Sequence, residues 1–405
     1  MKKMRIDEVC LVNPRQGVNL PENSKISFVP MAAVSVNGQV DSCDTLELKK
    51  AKNYTVFQNG DVLFAKITPC MENGKGAIVR NLLNGYGAGS TEFIVLRPKE
   101  NVITAKWLYL YLSQRSFRWE CQQHMTGSAG QKRVPPKYLA SCEMPVPSIE
   151  EQERIVSKIE ELFSRLDASV AELKTAKEKL KVYRQAVLKE AFDKASSSNS
   201  KEMTIDSLLT KTRKGMSTGP FGTMLKKFEH QRAGVPVLGI ENIGEGKFVP
   251  GNKIFVTPEK ATELQAFRVH TGDIIISRSG TVGELCIVPP YMENSLLSTN
   301  LMRISLDFEI VLPTYFVYLF RSKGVVVDQV KELCKGSTRM FLNQTILKQI
   351  RFPIPSIPAQ QKLVNMVESR LSICDNIEQT IDTSLQQAEA MRQSILKQAF
   401  EGRLL

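Results

Sequence analysis

Two stretches of the chain place apolar residues at alternating spacings of four and three. In the first, Ile155, Ile159, Leu162, Leu166, Leu173, Ala176, Leu180, Tyr183 and Val187 keep this spacing, with Ser169 as the weak position. In the second, Leu363, Val367, Cys374, Ile377, Ile381, Ala388, Met391 and Ile395 keep it, interrupted at Arg370 and Ser384. Helical residues three and four apart share a face, so stripes of this length predict two long helices that pair as a coiled coil. Ser148 and Ser356 precede the stripes and suit N-caps, because a hydroxyl oxygen accepts a first-turn N–H. Glu150, Glu151 and Pro358 fit the same helix starts.

Elsewhere the apolar runs are short, β-branched and separated by Gly, Pro and Asn. Val34 to Val40, Asp61 to Ile67, Gly76 to Val79 and Phe93 to Leu96 read as strands. Trp107 to Cys121 and Thr314 to Cys334 read as one or two helices each.

The two stripes belong to an internal repeat. Met144-Pro145-Val146-Pro147-Ser148-Ile149 matches Phe352-Pro353-Ile354-Pro355-Ser356-Ile357 at an offset of 208. Without a gap, Tyr183 to Phe192 (YRQAVLKEAF) then falls on Met391 to Phe400 (MRQSILKQAF), and 16 of 48 positions from Pro145 to Phe192 are identical. Weaker matches extend upstream. Gly60-Asp61-Val62-Leu63 resembles Gly272-Asp273-Ile274-Ile275, Ser90-Thr91 resembles Ser298-Thr299, and Met4-Arg5-Ile6-Asp7 resembles Met203-Thr204-Ile205-Asp206. Gly127-Ser128 followed by Arg133 matches Gly336-Ser337-Thr338-Arg339. The expected architecture is α+β, with two mixed domains and two long coiled-coil helices in a pseudo-twofold repeat. The expected limits are 1–147 and 196–355 for the globules and 148–195 and 356–405 for the helices. The polar run Ala195 to Ser200 marks the join.

Charge sharpens this division. The chain of 405 residues carries 54 Lys+Arg against 42 Asp+Glu, a net +12. Residues 1–147 hold 19 basic and 12 acidic side chains, and residues 201–355 hold 20 and 14. The segments 148–200 and 356–405 hold 10 and 10, and 5 and 6. The positive excess therefore lies in the globules, as a polyanionic partner requires, and the helices are neutral.

Several classes drop out. No apolar run approaches the roughly 18 residues of a membrane span. The start MKKMRIDEVC has no apolar stretch of a secretory signal. Eight cysteines are scattered without CxxC and there are three histidines, His124, His230 and His270, so no metal site is expected. Such thiols suit a reducing, cytoplasmic setting.

Catalytic motifs fare no better. Val288-Pro289-Pro290-Tyr291 lacks the polar first residue of an amino-methyltransferase loop and reads as a turn. Gly85-Tyr86-Gly87-Ala88-Gly89 lacks the strand–helix setting of a dinucleotide loop and reads as a loop. Glu47-Leu48-Lys49 reads as a solvated charge run, and no GxxxxGK[ST] is present.

The duplicated layout, the [MF]P[VI]PS entry and the RQxxLKxAF exit of each helix resemble the specificity subunit of type I restriction–modification systems. Gly219-Pro220-Phe221-Gly222-Thr223-Met224-Leu225-Lys226 also resembles a recurrent start of that family's target-recognition domains. The resemblance covers the whole chain and implies a non-catalytic, cytoplasmic DNA-specificity subunit of a prokaryotic cell. Its helices would pair antiparallel and set the gap between two half-sites, one read by each domain. Implied partners are double-stranded DNA, two methylation subunits with S-adenosylmethionine, and restriction subunits with ATP and Mg. No cofactor or metal is expected in this chain. The alternatives are the specificity subunit of a modification-only or other multisubunit methyltransferase, a methyltransferase or nuclease in its own right, and a coiled-coil scaffold that binds no DNA.

Base and phosphate contacts need Arg, Lys, Asn, Gln or hydroxyl side chains on loops. The candidates in the first globule are Lys66, Ser90, Thr91, Gln131, Lys132 and Arg133. Those in the second are Lys226, Arg278, Ser298, Thr299, Lys335, Ser337, Thr338, Arg339 and Asn343. The candidate helix seam and partner surface comprises Ile155, Ile159, Leu162, Leu166, Leu173 and Leu180 with Leu363, Val367, Ile377, Ile381, Met391 and Ile395.

Overall fold

The first half of the chain supplies strands β1 (Lys3–Arg5), β2 (Cys10–Val12), β3 (Lys25–Val29), β4 (Asp44–Glu47), β5 (Thr55–Gln58), β6 (Val62–Ala65), β7 (Gly76–Ile78), β8 (Tyr86–Gly89), β9 (Phe93–Pro98) and β10 (Glu143–Pro145). Its helices are α1 (Ile6–Val9), α2 (Ala105–Leu112), α3 (Arg115–Gln123), α4 (Pro136–Ser141) and the long α5 (Ile149–Ser196). The second half supplies β11 (Lys201–Met203), β12 (Met216–Thr218), β13 (Val235–Leu238), β14 (Ile243–Gly244), β15 (Lys247–Phe248), β16 (Ile254–Val256), β17 (Ile274–Ser277), β18 (Leu285–Ile287), β19 (Leu296–Leu297), β20 (Leu301–Ile304) and β21 (Phe352–Ile354). With them come α6 (Ile205–Leu208), α7 (Pro258–Glu263), α8 (Pro313–Arg321), α9 (Val327–Leu333), α10 (Gln344–Gln349) and the long α11 (Ile357–Phe400). These elements belong to a computed structural model that describes residues 1–14, 18–41, 43–128, 130–196, 200–221, 224–333 and 342–405.

The chain divides into two units, Met1–Leu173 with Asp382–Leu405, and Lys174–Ile381. The first unit holds an antiparallel sheet in the order β2-β9-β6-β7, and a second sheet β4-β3-β8-β5 in which β3 and β8 run parallel. The second unit repeats the pattern as β12-β20-β17-β18 and β16-β13-β19, again with its one parallel pair at β13 and β19. A two-stranded ribbon ties each globule to the start of a long helix: β1 with β10, and β11 with β21.

The strands expected at Asp61 to Ile67, Gly76 to Val79 and Phe93 to Leu96 are β6, β7 and β9. Two expectations change. Val34 to Val40 makes only isolated bridges, Val34 with Val40 and Gly38 with Ala77, because the chain turns through Val36 and Asn37. The Gly85–Gly89 cluster is mostly no loop: after a turn ending at Gly85, Tyr86–Gly89 forms β8, paired on both sides by β3 and β5. A Cβ on Gly87 would stand 2.4 Å from the Phe57 ring, and one on Gly89 would stand 2.3 Å from the Val29 carbonyl oxygen. Glycine is there for close approach inside a sheet, which is the strand reading of such residues.

Both long helices are continuous, and each enters both units. In the first unit Ile155, Val156 and Ile159 of α5 share a core with Leu396, Ala399 and Phe400 of α11, around Trp107, Leu108, Ile94 and Leu96. In the second, Leu188, Ala191 and Phe192 of α5 share one with Val364 and Val367 of α11, around Tyr315, Phe316 and Ile274. Within the second unit Lys177 meets Glu378, Arg184 meets Glu378 and Asp375, and Glu190 meets Arg370, so the helices run antiparallel. Arg370, the break in the second stripe, is thus an interhelical ion pair.

Ile155, Ile159, Leu180, Val367 and Ile381 are buried, and Leu162, Leu166, Leu173, Leu363 and Ile395 half-buried. Ile377 and Met391 depart from the expected seam, at 45% and 56% exposed. The ends of α11 turn Val364, Leu396 and Phe400 onto globule cores, and this uses a different stripe from a strict heptad seam.

Candidate nucleic-acid interface

The polar scaffold beneath the loops is duplicated. At each helix start a buried glutamine makes the same three bonds. Gln152 accepts from the Thr104 N–H and donates to the carbonyls of Val102 and Pro147, at 2.9, 2.9 and 3.0 Å. Gln360 accepts from the Leu312 N–H and donates to the carbonyls of Ile310 and Pro355, each at 2.9 Å. Each glutamine satisfies buried backbone groups that would otherwise carry a desolvation penalty.

A second duplicated device lies under the sheet edge. In Gln58-Asn59-Gly60-Asp61 and His270-Thr271-Gly272-Asp273 the glycines take φ +89° and +83°. The aspartates accept the N–H of Gln58 and of His270, each at 2.8 Å. Both carboxylates are buried and answered by arginine: Asp61 by Arg97 at 2.7 Å, and Asp273 by Arg213 at 2.6 Å. The nearest arginines come from different places, β9 in one unit and the approach to β12 in the other, where Arg303 of β20 also reaches Asp273 at 3.9 Å.

A third device joins the helices. Arg392 pairs with Asp167 and lies over the Phe163 ring in the first unit. Arg184 pairs with Asp375 at 2.6 Å in the second. Both partners are repeated at an offset of 208. Against the opposing effect of burial, Lys247 and Arg184 hold the Asp375 carboxyl below its ordinary value.

Above this scaffold the two loop sets differ. In the first unit Lys66 follows β6; its N–H donates to the Glu92 carbonyl and its own carbonyl accepts from Val134. Ser90 Oγ accepts the Glu92 N–H, and Thr91 is exposed beside it. Gln131 and Lys132 are exposed, and the Lys132 carbonyl accepts the Thr68 N–H. Arg133 is committed to Glu92 through three hydrogen bonds of 2.8 to 3.1 Å. That guanidinium holds the Glu92 carboxyl below its usual value. The loops therefore bring Lys66, Ser90, Thr91, Lys132 and Arg133 together, with Arg133 acting as their brace.

In the second unit Arg278 takes the backbone place of Lys66, donating its N–H to the Asn300 carbonyl and accepting from Leu342. Its side chain is only 5% exposed and lies over the Phe221 ring at 5.1 Å. It reaches the carbonyls of Leu342 and Thr299 at 3.4 Å, and burial lowers its pKa. Asn343 is the N-cap of α10, accepting the Ile346 N–H at 2.8 Å. Its side chain is spent on a helix start, a role its spacing before an apolar run permits. Ser298 and Thr299 lie on the turn before β20, with Thr299 exposed. Lys226 is exposed, its Nζ 5.5 Å from the Phe228 ring. Lys335, Ser337, Thr338 and Arg339 lie outside the described residues.

Sequence reading missed Gln152, Gln360, Asp167, Asp375 and the Asp61 and Asp273 carboxylates as builders of the site. The signal was present: the first four are identical at the 208 offset, and both aspartates follow a glycine in the same short motif. Among the described residues no group of His, Cys, Asp and Glu could hold a metal ion. No helix there is long and apolar enough to cross a membrane.

The comparisons with known proteins agree on one family. The model described as type I restriction modification DNA specificity domain matches residues 1–179 and 217–387. The type I restriction enzyme EcoAI specificity subunit of Escherichia coli is 40% identical over 166 residues, 40% of this chain and 28% of that protein. The EcoEI specificity subunit of Escherichia coli is 25% identical over 94% of this chain and 79% of that protein. A solved chain from work on complex assembly and conformational transition of the type I R-M system has the same fold. It has a TM-score of 0.77 at 18% identity, covering 100% of this chain and 98% of that one. With two basic globules built on one repeated scaffold and the family model matched in both halves, the chain belongs to the type I restriction–modification DNA-specificity family.

Proposed function

We propose that this chain is the non-catalytic specificity subunit that directs a type I restriction–modification complex to a bipartite DNA sequence. The observation that carries this is the family match in both halves, joined to a net charge of +7 and +6 on the globules against neutral helices. Phosphates demand cations, and scaffolds do not. Residues 1–147 and 196–355 are the two target-recognition domains, each reading one half-site. In the first, Lys66, Ser90, Thr91, Gln131 and Lys132 face DNA, with Arg133 bracing the loop. In the second, Lys226, Ser298 and Thr299 do so.

Residues 148–195 and 356–405 pair as the spacer and dock two methylation subunits, to which Ile377 and Met391 offer exposed apolar surface. S-adenosylmethionine binds those subunits, and ATP with Mg binds the restriction subunits. The setting is cytoplasmic.

Methylation sequencing of cells with and without this gene, in the presence of its methylation partner, tests the reading. One bipartite methylated motif is expected to depend on the gene, and an unchanged methylome refutes it. Four residues inserted within Glu172–Lys181 lengthen α5 by about 6 Å. The gap in the motif is then expected to grow by one or two base pairs with both half-sites kept.

A further inference from the structure

We infer that Phe228 is an apolar wedge which the second domain inserts into a groove of duplex DNA, flanked by Lys226 and Lys227 on the phosphates. The inference rests on the DNA-reading function proposed above and deepens it.

Phe228 is 76% exposed, the largest exposure of any exposed large hydrophobic side chain in the described residues. Leaving such a ring in water forgoes about 2 kcal/mol of burial. Yet the turn that carries it is firmly held. Lys227–Glu229 is a single 3-10 turn. Glu229 accepts the Lys226 N–H at 2.6 Å and pairs with Lys260 of α7 at 2.8 Å. Lys260 in turn pairs with Glu263 at 2.8 Å. The acid of the turn is thus directed at α7, while the ring and the two lysines point outward. Lys226 lies against the ring face, a cation–π contact that keeps charge and apolar surface side by side.

The surrounding chemistry selects a nucleic acid. From Met224 to Arg232 the chain has three Lys and Arg against the one committed glutamate. Exposed apolar side chains between phosphate-binding cations are the means by which proteins unstack and kink a duplex.

The equivalent connection of the first half lacks this device. The matching connection, from β2 to β3, covers Asn13 to Ser24 and contains no aromatic residue. At this connection the two half-sites are therefore read differently: the second domain wedges its half here and the first does not.

The test uses the full chain assembled with its methylation subunits, on duplexes bearing the motif found by methylation sequencing. Single 2-aminopurine bases are placed through both half-sites, leaving out the methylated adenine of each half and its neighbours, because the methylation subunits flip that base out of the stack. Binding is expected to raise fluorescence several-fold at one step of the half-site read by the second domain, and nowhere in the other. Phe228→Ala is expected to abolish the rise and weaken binding at least tenfold, and Phe228→Leu to retain part of both. Lys226→Gln with Lys227→Gln is expected to reduce the slope of log affinity against log salt by about two. An unchanged thermal midpoint will show that the exposed ring was removed without loss of fold. Normal binding by the unaltered complex with no fluorescence rise, or a Phe228→Ala complex that binds and fluoresces like it, overturns the wedge alone. Failure of the unaltered complex to bind the duplex overturns the DNA-reading function and the wedge together.

Discussion

In the first unit the indole N–H of Trp107 donates to the Pro145 carbonyl at 2.9 Å, and its ring packs on Phe400 from the end of α11. In the second, the Tyr315 hydroxyl donates to the Pro353 carbonyl at 2.8 Å, and its ring packs on Phe192 from the end of α5. Different aromatic residues fill one role at an offset of 208. The glutamine clamps, the Gly-Asp turns and the Arg–Asp interhelical pairs repeat in the same way. The loops above them repeat backbone anchors but not side-chain roles. One set braces an exposed basic cluster with an Arg133–Glu92 pair; the other buries its arginine beneath Phe221 and presents an exposed phenylalanine. A duplicated scaffold has fixed hydrogen-bond demands, because any unpaired buried group is costly. Exposed loops carry no such demand and are free to diverge toward different targets.

The buried carboxylates offer the strongest way to break this equivalence. Asp61→Ala and Asp273→Ala each remove a buried carboxylate from a half-buried arginine. Each is expected to cost about 3–5 kcal/mol, as removal of one partner of a buried pair does. Urea unfolding of the two variants measures it, and a loss in only one unit would show that the scaffolds are not equivalent. Next come the clamps. Gln152→Ala and Gln360→Ala each take the clamp from three part-buried backbone groups and are expected to cost about 2–3 kcal/mol. Hydrogen exchange at the Thr104 and Leu312 amides should report the opening in the matching unit.

The loop contrast has a subtler test. Lys132→Ala is expected to leave stability unchanged and reduce the salt slope of DNA binding by about one. Arg133→Ala is expected to lower stability by up to about 1 kcal/mol, because it removes a partly exposed ion pair. If Arg133→Ala spares stability and weakens only DNA binding, Arg133 is a reader and the brace is wrong.

The smallest effect concerns acid. Glu293 accepts the Thr271 N–H, and this bond, opposed by desolvation and aided by His270 and the Thr271 hydroxyl, pulls its pKa to about 2. A carboxyl depressed in the folded state stabilises the protein above its ordinary pKa, and the benefit fades as pH falls toward 2. Because Glu293 is exposed, the effect is small. Glu293→Gln is expected to flatten the acid limb of exchange at the Thr271 amide and leave the first unit's Gly-Asp turn untouched.

Much of this was legible beforehand. The long helices, their start points, the 208-residue repeat and the sign of charge on each part follow from periodicity and composition. These are local properties, summed over many residues, and no single misreading disturbs them. The loop residues were less legible. Arg133, Arg278 and Asn343 satisfied the chemistry of DNA contact in sequence. Their side chains are taken up by Glu92, by burial under Phe221 and by the first turn of α10, all set by neighbours that sequence spacing does not reveal. The Gly85–Gly89 strand was hidden for a related reason: its glycines answer Phe57 and the Val29 carbonyl, which approach only in the folded sheet.

The sequence by itself determined that this protein has two basic globules and two neutral helices, because repeat, period and charge are written along the chain. Tertiary structure alone decided which polar groups stay available. Burial and pairing depend on what the fold brings within hydrogen-bond reach, so of two neighbouring cations Arg133 is committed to Glu92 while Lys132 stays exposed.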